Sequence, residues 1–417
     1  MQKLINKSGI LLFLMLFFVQ NTFARMDAIN LMTYQGWGYT VDNTPQGQRV
    51  KALLEHIKKT GFTTVVFNFR GYMTGGRSSD IRDAVPLTEQ ETQERLLKET
   101  VQFAQSIGLR VMFRPIVLVV GPKGEFPYVQ GSTVWWHGVI KPDNLATWFQ
   151  ALQNFHSRYV RIAQELNVES YSIGAEMHST LTGLGSRSAD WQLGDPEKWL
   201  QFLRWVRSGI GQNVKITYAF NFTDQYVKEN GVRTYGGEFE QFRHYVSMVT
   251  TNPQLKKYQQ TLKDFWNELD FVELDYYRSL GADGINYSKK FEELSMQLST
   301  KTYSHAQQVD VTLKIFETLG MKKQLVTFGE VGYRNIEKTF LDPSAYESTG
   351  GLFNPIHQAS SWQAFFNGFQ RPNWSWYDGV HLWCVLVDRD YLSPQDKGFN
   401  PFGNQLSTQV FQNAFSQ

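Results

Sequence analysis

Gln324-Leu-Val-Thr-Phe-Gly-Glu-Val-Gly-Tyr333 is a short apolar run with β-branched residues that ends in a glycine, a carboxylate, a second glycine and an aromatic ring. It reads as a buried strand delivering Glu330 at its C-terminal tip, where glycines let something approach the backbone. Val168-Glu-Ser-Tyr-Ser-Ile-Gly-Ala-Glu-Met177 has the same layout and ends in Glu176. Outward from these two, strand candidates lie at 31–34, 63–70, 109–117, 214–221, 271–277 and 380–386. Helical spacing fills the intervals at 48–60, 88–107, 144–166, 195–209, 252–269, 287–298, 305–319, 356–369 and 404–415. Thr88 and Glu91 are spaced as a capping box. The connection 222–251 is long and holds helical pieces around 239–249.

Eight apolar strands alternating with helices predict a single (β/α)8 TIM barrel over 25–417 with elaborated strand-to-helix loops. A doubly wound sheet would need a phosphate-binding glycine loop, and neither G-x-G-x-x-G nor a P-loop occurs. No cofactor is therefore expected. The eight histidines form no H-E-x-x-H motif or close ligand cluster, so no metal is expected either. Gly185-Ser186 lacks the nucleophile-elbow pattern.

Composition narrows the partners. Formal net charge is +2, from 41 basic and 39 acidic side chains, with no long basic run, which argues against nucleic acid. Aromatics make up 15%, many in polar, glycine-containing stretches, a pattern suited to stacking on the apolar faces of sugars. Lys3 and Lys7 precede the apolar run 10–19, and Thr22 and Ala24 sit at small-residue positions. This is the layout of a secretory signal over 1–24, with a site near Ala28 as the alternative cleavage point. The run is short for a membrane span, so a secreted or periplasmic protein without stable membrane insertion is expected. The single cysteine, Cys384, cannot form an internal disulfide and is expected as a buried thiol.

Barrel chemistry gathers at the C-terminal strand ends. Their polar and aromatic groups are Asn68, Arg70, Arg114, Glu176, Asn221, Asp275, Tyr277, Glu330 and Trp383. Period-two alternation would turn Ser170, Ser172, Gly174 and Glu176 to one face, and Val326, Phe328 and Glu330 likewise. Glycosidic cleavage needs a proton donor for the leaving oxygen and a partner for the charge at the anomeric carbon, and two carboxylates meet both needs. Glu176 is assigned as general acid/base, with a raised pKa, and Glu330 as the ionised nucleophile. Tyr277 is placed to hydrogen-bond Glu330. Arg70 and Arg114 are candidates to position carboxylate or substrate, and Trp383 is a candidate sugar platform. Asp275 is expected to orient an arginine, Glu273 to pair within the barrel, and His178 to touch substrate.

With those residues in place, the chain resembles the retaining (β/α)8 glycoside hydrolases, and among them the family 113 endo-β-mannanases. Strand three of that family ends in a Lys-Pro-His type motif, here Arg114-Pro115-Ile116. A loop follows with Trp-Arg-Gly and a proline, here Trp136-His137-Gly138 and Pro142. Further motifs correspond to Ile173-Gly174-Ala175-Glu176, Asp275-Tyr276-Tyr277 and Glu330-Val331-Gly332-Tyr333. The resemblance implies retaining hydrolysis of β-1,4-mannan or a similar β-linked glycan without a metal. It adds Trp136 and His137 to the substrate-side candidates. The departures are arginine for lysine, isoleucine for histidine, histidine for arginine, and alanine before Glu176. Two other readings use the same residues: a carbohydrate-binding protein on an enzyme scaffold, and a transglycosidase.

Overall fold

The computed structural model of the chain describes residues 25–183, 194–229, 231–345 and 350–416. Residues 1–24, expected to form a secretory signal, lie outside the described residues together with Gly185, Ser186 and Trp191. Eight parallel strands form the barrel: β1 (Ala28–Met32), β2 (Thr64–Thr74), β3 (Arg110–Val120), β4 (Ser170–Ala175), β5 (Lys215–Thr223), β6 (Val272–Tyr277), β7 (Val326–Val331) and β8 (Tyr377–Leu386). Each strand pairs with the next in sequence, and β1 pairs with both β2 and β8, which closes the sheet.

Helices cover the outside: α1 (Pro45–Thr60), α2 (Gln90–Ser106), α3 (Leu145–Glu165), α4 (Pro196–Ile210), α5 (Gly237–Ser247), α6 (Pro253–Glu268), α7 (Phe291–Thr318), α8 (Pro355–Phe369) and α9 (Gln405–Phe415). Their starts are set locally. Thr44, Asn144, Asp195, Asn354 and Asn404 each accept a first-turn backbone N–H, and proline occupies the first turn of α1, α4 and α8. The capping box expected at Thr88 does not form. Thr88 lies in a 3-10 turn ahead of α2, which starts without a side-chain cap.

Two expected helices, 287–298 and 305–319, are one 28-residue helix, α7. The polar stretch between them does not break it. Ser299 donates to Ser295 O, and Thr302 donates to Ser299 O and across to Ala364 O on α8, so the hydroxyls are satisfied within the helix pair. The first strand lies at 28–32, earlier than expected, because its neighbours on both sides pair with Ala28 onward.

The main apolar core lies between strands and helices, and it absorbs much of the aromatic content. Trp148, Trp199, Trp266 and Trp362 are fully buried there. The richness in rings is thus in large part packing, while Trp37, Trp135, Trp136 and Trp383 remain half-buried. Two β-hairpins elaborate the strand-to-helix loops, Tyr128–Gln130 with Thr133–Trp135 after β3 and Tyr226–Glu229 with Val232–Tyr235 after β5. Cys384 is half-buried rather than buried, because it belongs to the small cluster of Met32, Ile116, Ala175 and Ala219 beside Trp383.

Candidate active site

Glu176 and Glu330 both reach the barrel mouth, but regular alternation does not bring them there. Ser172 pairs with Thr217, yet Ala175 pairs with Ala219, so β4 carries one extra residue at this point. Gly174 consequently turns outward, where a Cβ would stand 2.9 Å from the Trp199 ring. Ala175 turns inward to Met32 and Ile116. Glu176 follows with φ +54°, a left-handed conformation that costs a non-glycine residue energy and needs its surroundings to hold it. In β7, Glu273 pairs with Thr327 and Asp275 with Glu330, again one residue over. Phe328 therefore packs outward on Phe365 and Phe369, not on the face of Glu330. Bulges of this kind re-aim a side chain at a strand end.

Gly329 is the residue that makes room. A Cβ there would lie 2.8 Å from Glu273 Oε1 and 2.9 Å from Asp275 Oδ1. Its carbonyl accepts from Arg114 Nη1 at 2.8 Å and Asn30 Nδ2 at 3.1 Å. Gly329→Ala is expected to destabilise the fold by about 1–3 kcal/mol through this overpacking. Equilibrium urea denaturation checks it, with an unchanged midpoint as the contrary result.

Arg114 is fully buried and reaches the carboxylates. Its Nη2 lies 2.7 Å from Asp275 Oδ2 and 3.1 Å from Glu330 Oε1. Burial opposes its charge, but Asp275, Glu330, Glu273 and Glu176 outweigh that and keep it protonated. Tyr277 donates to Glu330 Oε2 at 2.9 Å. Deeper in the barrel, Glu273 Oε1 lies 3.0 Å from His381 Nδ1.

Glu176 is held from the other side. Asn221 Nδ2 donates to its Oε1 at 2.6 Å, and His137 Nε2 lies 3.2 Å from its Oε2. His178, expected to touch substrate, is almost completely buried and stands edge-on to Trp136. Burial, against the pull of Glu176 and with the push of His137, brings its imidazole down to about 4.

The remaining candidates separate. Asn68 is buried and donates to Asn30 Oδ1 and Leu31 O, which leaves it a structural role inside the barrel. Arg70 donates to Tyr34 O at the rim beside Asp388, away from the carboxylate pair's own hydrogen bonds. Trp383 is half-buried beside the Met32 cluster.

The expected electrostatics are reversed. Burial pushes Glu330 up to about 7, opposed by Arg114 and Tyr277 and reinforced by the charge of Glu176. Burial also works to raise Glu176, but the hydrogen bond and charge of His137, with Asn221 and His178, bring it below the usual carboxylate range. The cause is spatial. Arg114 divides its charge among several carboxylates, whereas His137 faces Glu176 directly.

One supporting group escaped the sequence. Glu238, at the start of α5, is completely buried and accepts from Tyr218 Oη at 2.7 Å and Asn221 N at 3.1 Å. Tyr218 in turn accepts from Met177 N at 2.9 Å, so Glu238 braces both Asn221 and the chain just after Glu176. Burial pushes its carboxyl up to about 8. Its only signal was an acidic residue beside Phe239 and Phe242 in a long connection.

The model of Glycoside Hydrolase Family 113 matches residues 32–193, which include Arg114, His137 and Glu176. Over that stretch, less than half of its length, the chain is similar to family 113. The solved structure of the GH113 β-mannanase AaManA from Alicyclobacillus acidocaldarius, in complex with ManMIm, is similar at 15% identity and TM-score 0.65. That match covers 95% of this chain and 98% of the other. A complex of a GH113 β-1,4-mannanase is similar at 16% identity and TM-score 0.61, covering 94% of this chain and 99% of the other. At these identities the family 113 structures share the barrel. No curated protein sequence matches the chain.

Proposed function

We propose that the chain is an exported retaining β-glycosidase acting on a β-mannan-like glycan, with Glu330 as nucleophile and Glu176 as general acid/base. The observation that carries this reading is the unequal cradling of two buried carboxylates in one mouth. Glu330 has two fixed donors, Arg114 and Tyr277, which suit an oxygen that must carry charge and attack. Glu176 instead has one neutral donor, Asn221, and one partner able to exchange a proton, His137.

Each carboxylate lies in the electrostatic field of the other, so an ionised Glu330 favours a proton on Glu176. Productive binding places that proton on Glu176. Glu330 then attacks the anomeric carbon as Glu176 protonates the departing oxygen, and water completes the reverse sequence. The half-buried Trp136 and Trp383 offer ring faces to the sugar.

The test is a screen of β-mannans, β-glucans and amino-sugar polymers, with proton NMR of the first product formed. Release of the β-anomer supports retention. First release of the α-anomer, or binding without any product, overturns the reading. Elongated oligosaccharides as the main product would reassign the same glutamates to glycosyl transfer.

A further inference from the structure

We propose that His137 is the proton store of Glu176, so that the active form holds one proton shared between His137 Nε2 and the Glu176 carboxyl. This rests on the reading of Glu176 as the general acid/base.

The geometry is specific. Nε2 lies 3.2 Å from Glu176 Oε2, while the other carboxyl oxygen is taken by Asn221. Asn221 cannot exchange a proton, and its Oδ1 already accepts from Thr223 Oγ1 at 2.7 Å, which keeps Nδ2 turned to Glu176. Among the described residues, His137 is thus the one ionisable side chain hydrogen-bonded to Glu176.

The imidazole is held in place. The Trp136 ring stands edge-on to it with centroids 5.1 Å apart. Gly138 permits this, since a Cβ there would lie 2.3 Å from Trp136. The loop end is tied down by Lys141 N to Gly76 O and Asp143 N to Arg77 O. The ionisable groups around the pair are His178, Glu330 and Tyr277, with Arg114 and Asp275 behind Glu330 and Tyr218 and Glu238 behind Asn221. His178 is buried and neutral near pH 7, so it does not compete for the proton.

Imidazole is the side chain whose ordinary titration range allows exchange in both directions at neutral pH. In the first half-reaction the bond from the anomeric carbon to the leaving oxygen breaks, and its electron pair goes to that oxygen. A bond to Glu330 forms. The leaving oxygen takes the shared proton through Glu176, which leaves Glu176 ionised and the His137 ring neutral. In the second half-reaction water adds at the anomeric carbon and the ester bond to Glu330 breaks. The water proton passes through Glu176 back to Nε2.

Two experiments on the full chain test this. Nitrogen-15 NMR titration of the His137 ring is compared between wild type and Glu176→Gln, with an expected fall in its pKa of about 1–2 pH units. Superimposable titrations would overturn the proposal whatever the substrate. His137→Arg supplies a fixed cation without an exchangeable proton. On β-1,4-mannohexaose its kcat/KM is expected to lose its alkaline limb to lower pH by about one unit or more, with about a 10²-fold loss at pH 7. The kcat/KM for 4-nitrophenyl β-mannobioside, which reports a first half-reaction needing little acid assistance, is expected to stay within about threefold. Equal losses on both substrates, or an unmoved limb, would count against a proton store. His137→Gln serves as the folding control and is expected to keep the wild-type melting midpoint. If Glu176→Gln cleaves mannohexaose like wild type while the ring pKa still falls, the acid/base reading has failed and the His137–Glu176 contact has not.

Discussion

Glu330→Gln is expected to lower turnover by about 10⁴-fold or more while making the folded protein more resistant to unfolding above neutral pH. The first effect follows from removing the proposed nucleophile, a loss that groups acting as a unit do not share out or replace. The second follows from linkage. Burial lifts the Glu330 carboxyl from an ordinary 4.5 to about 7. A carboxyl whose folded pKa is raised contributes stability below its unfolded value, and that contribution fades as pH climbs through the folded value. Between about pH 4.5 and 7 the wild type therefore gives up as much as about 3 kcal/mol at this position. Glutamine never ionises, so the variant escapes that loss, less whatever the weaker contact with Arg114 costs. Melting midpoints at pH 5 and pH 8 check this. The difference between variant and wild type should be larger at pH 8, and a variant less stable at pH 8 than at pH 5, relative to wild type, would contradict it.

Arg114→Met is expected to cost about 3–5 kcal/mol, because it strips the cation from buried Asp275 and Glu330 at once. Both carboxyls already sit above their ordinary range because of burial, and losing Arg114 raises them further. The destabilisation should grow with pH, since ionising two unpaired buried acids is what the fold must then bear. Urea denaturation at pH 5 and pH 8 measures it. The double variant Arg114→Met with Asp275→Leu should recover part of the loss, as replacing a buried ion pair with apolar groups is far milder than breaking it. A double variant weaker than the sum of the two singles would show that the pair is not the origin.

The barrel was legible because its evidence is repetitive. Apolar runs such as 63–70 and 109–117 pair in register along their full length, and a misplaced boundary at 31–34 did not disturb the count. The tips of two strands also named Glu176 and Glu330, and Tyr277 fell beside Glu330. What stayed hidden depends on groups distant in sequence. The bulges at Gly174 and Gly329 arise from the fit against Trp199 and against Glu273 with Asp275, which no alternation pattern contains. The reversed carboxyl affinities come from His137, 39 residues before Glu176, and from Arg114, 216 before Glu330. Glu238 gave no hint, because its value lies in bracing Asn221 and Tyr218 from behind.

The β7 bulge separates the scaffold from its proposed chemistry. With β7 evenly pleated and Phe328 still packed on Phe365 and Phe369, the barrel would still close and still bury its rings, yet Glu330 would point among the helices. Reactivity of the proposed kind is accordingly a matter of phase: one surplus residue on β7 moves Glu330 from packing surface to the mouth, opposite Glu176. Relatives of this chain can therefore keep the shape and fall silent through a single-codon deletion, and inspecting which acidic residues they retain would not reveal it.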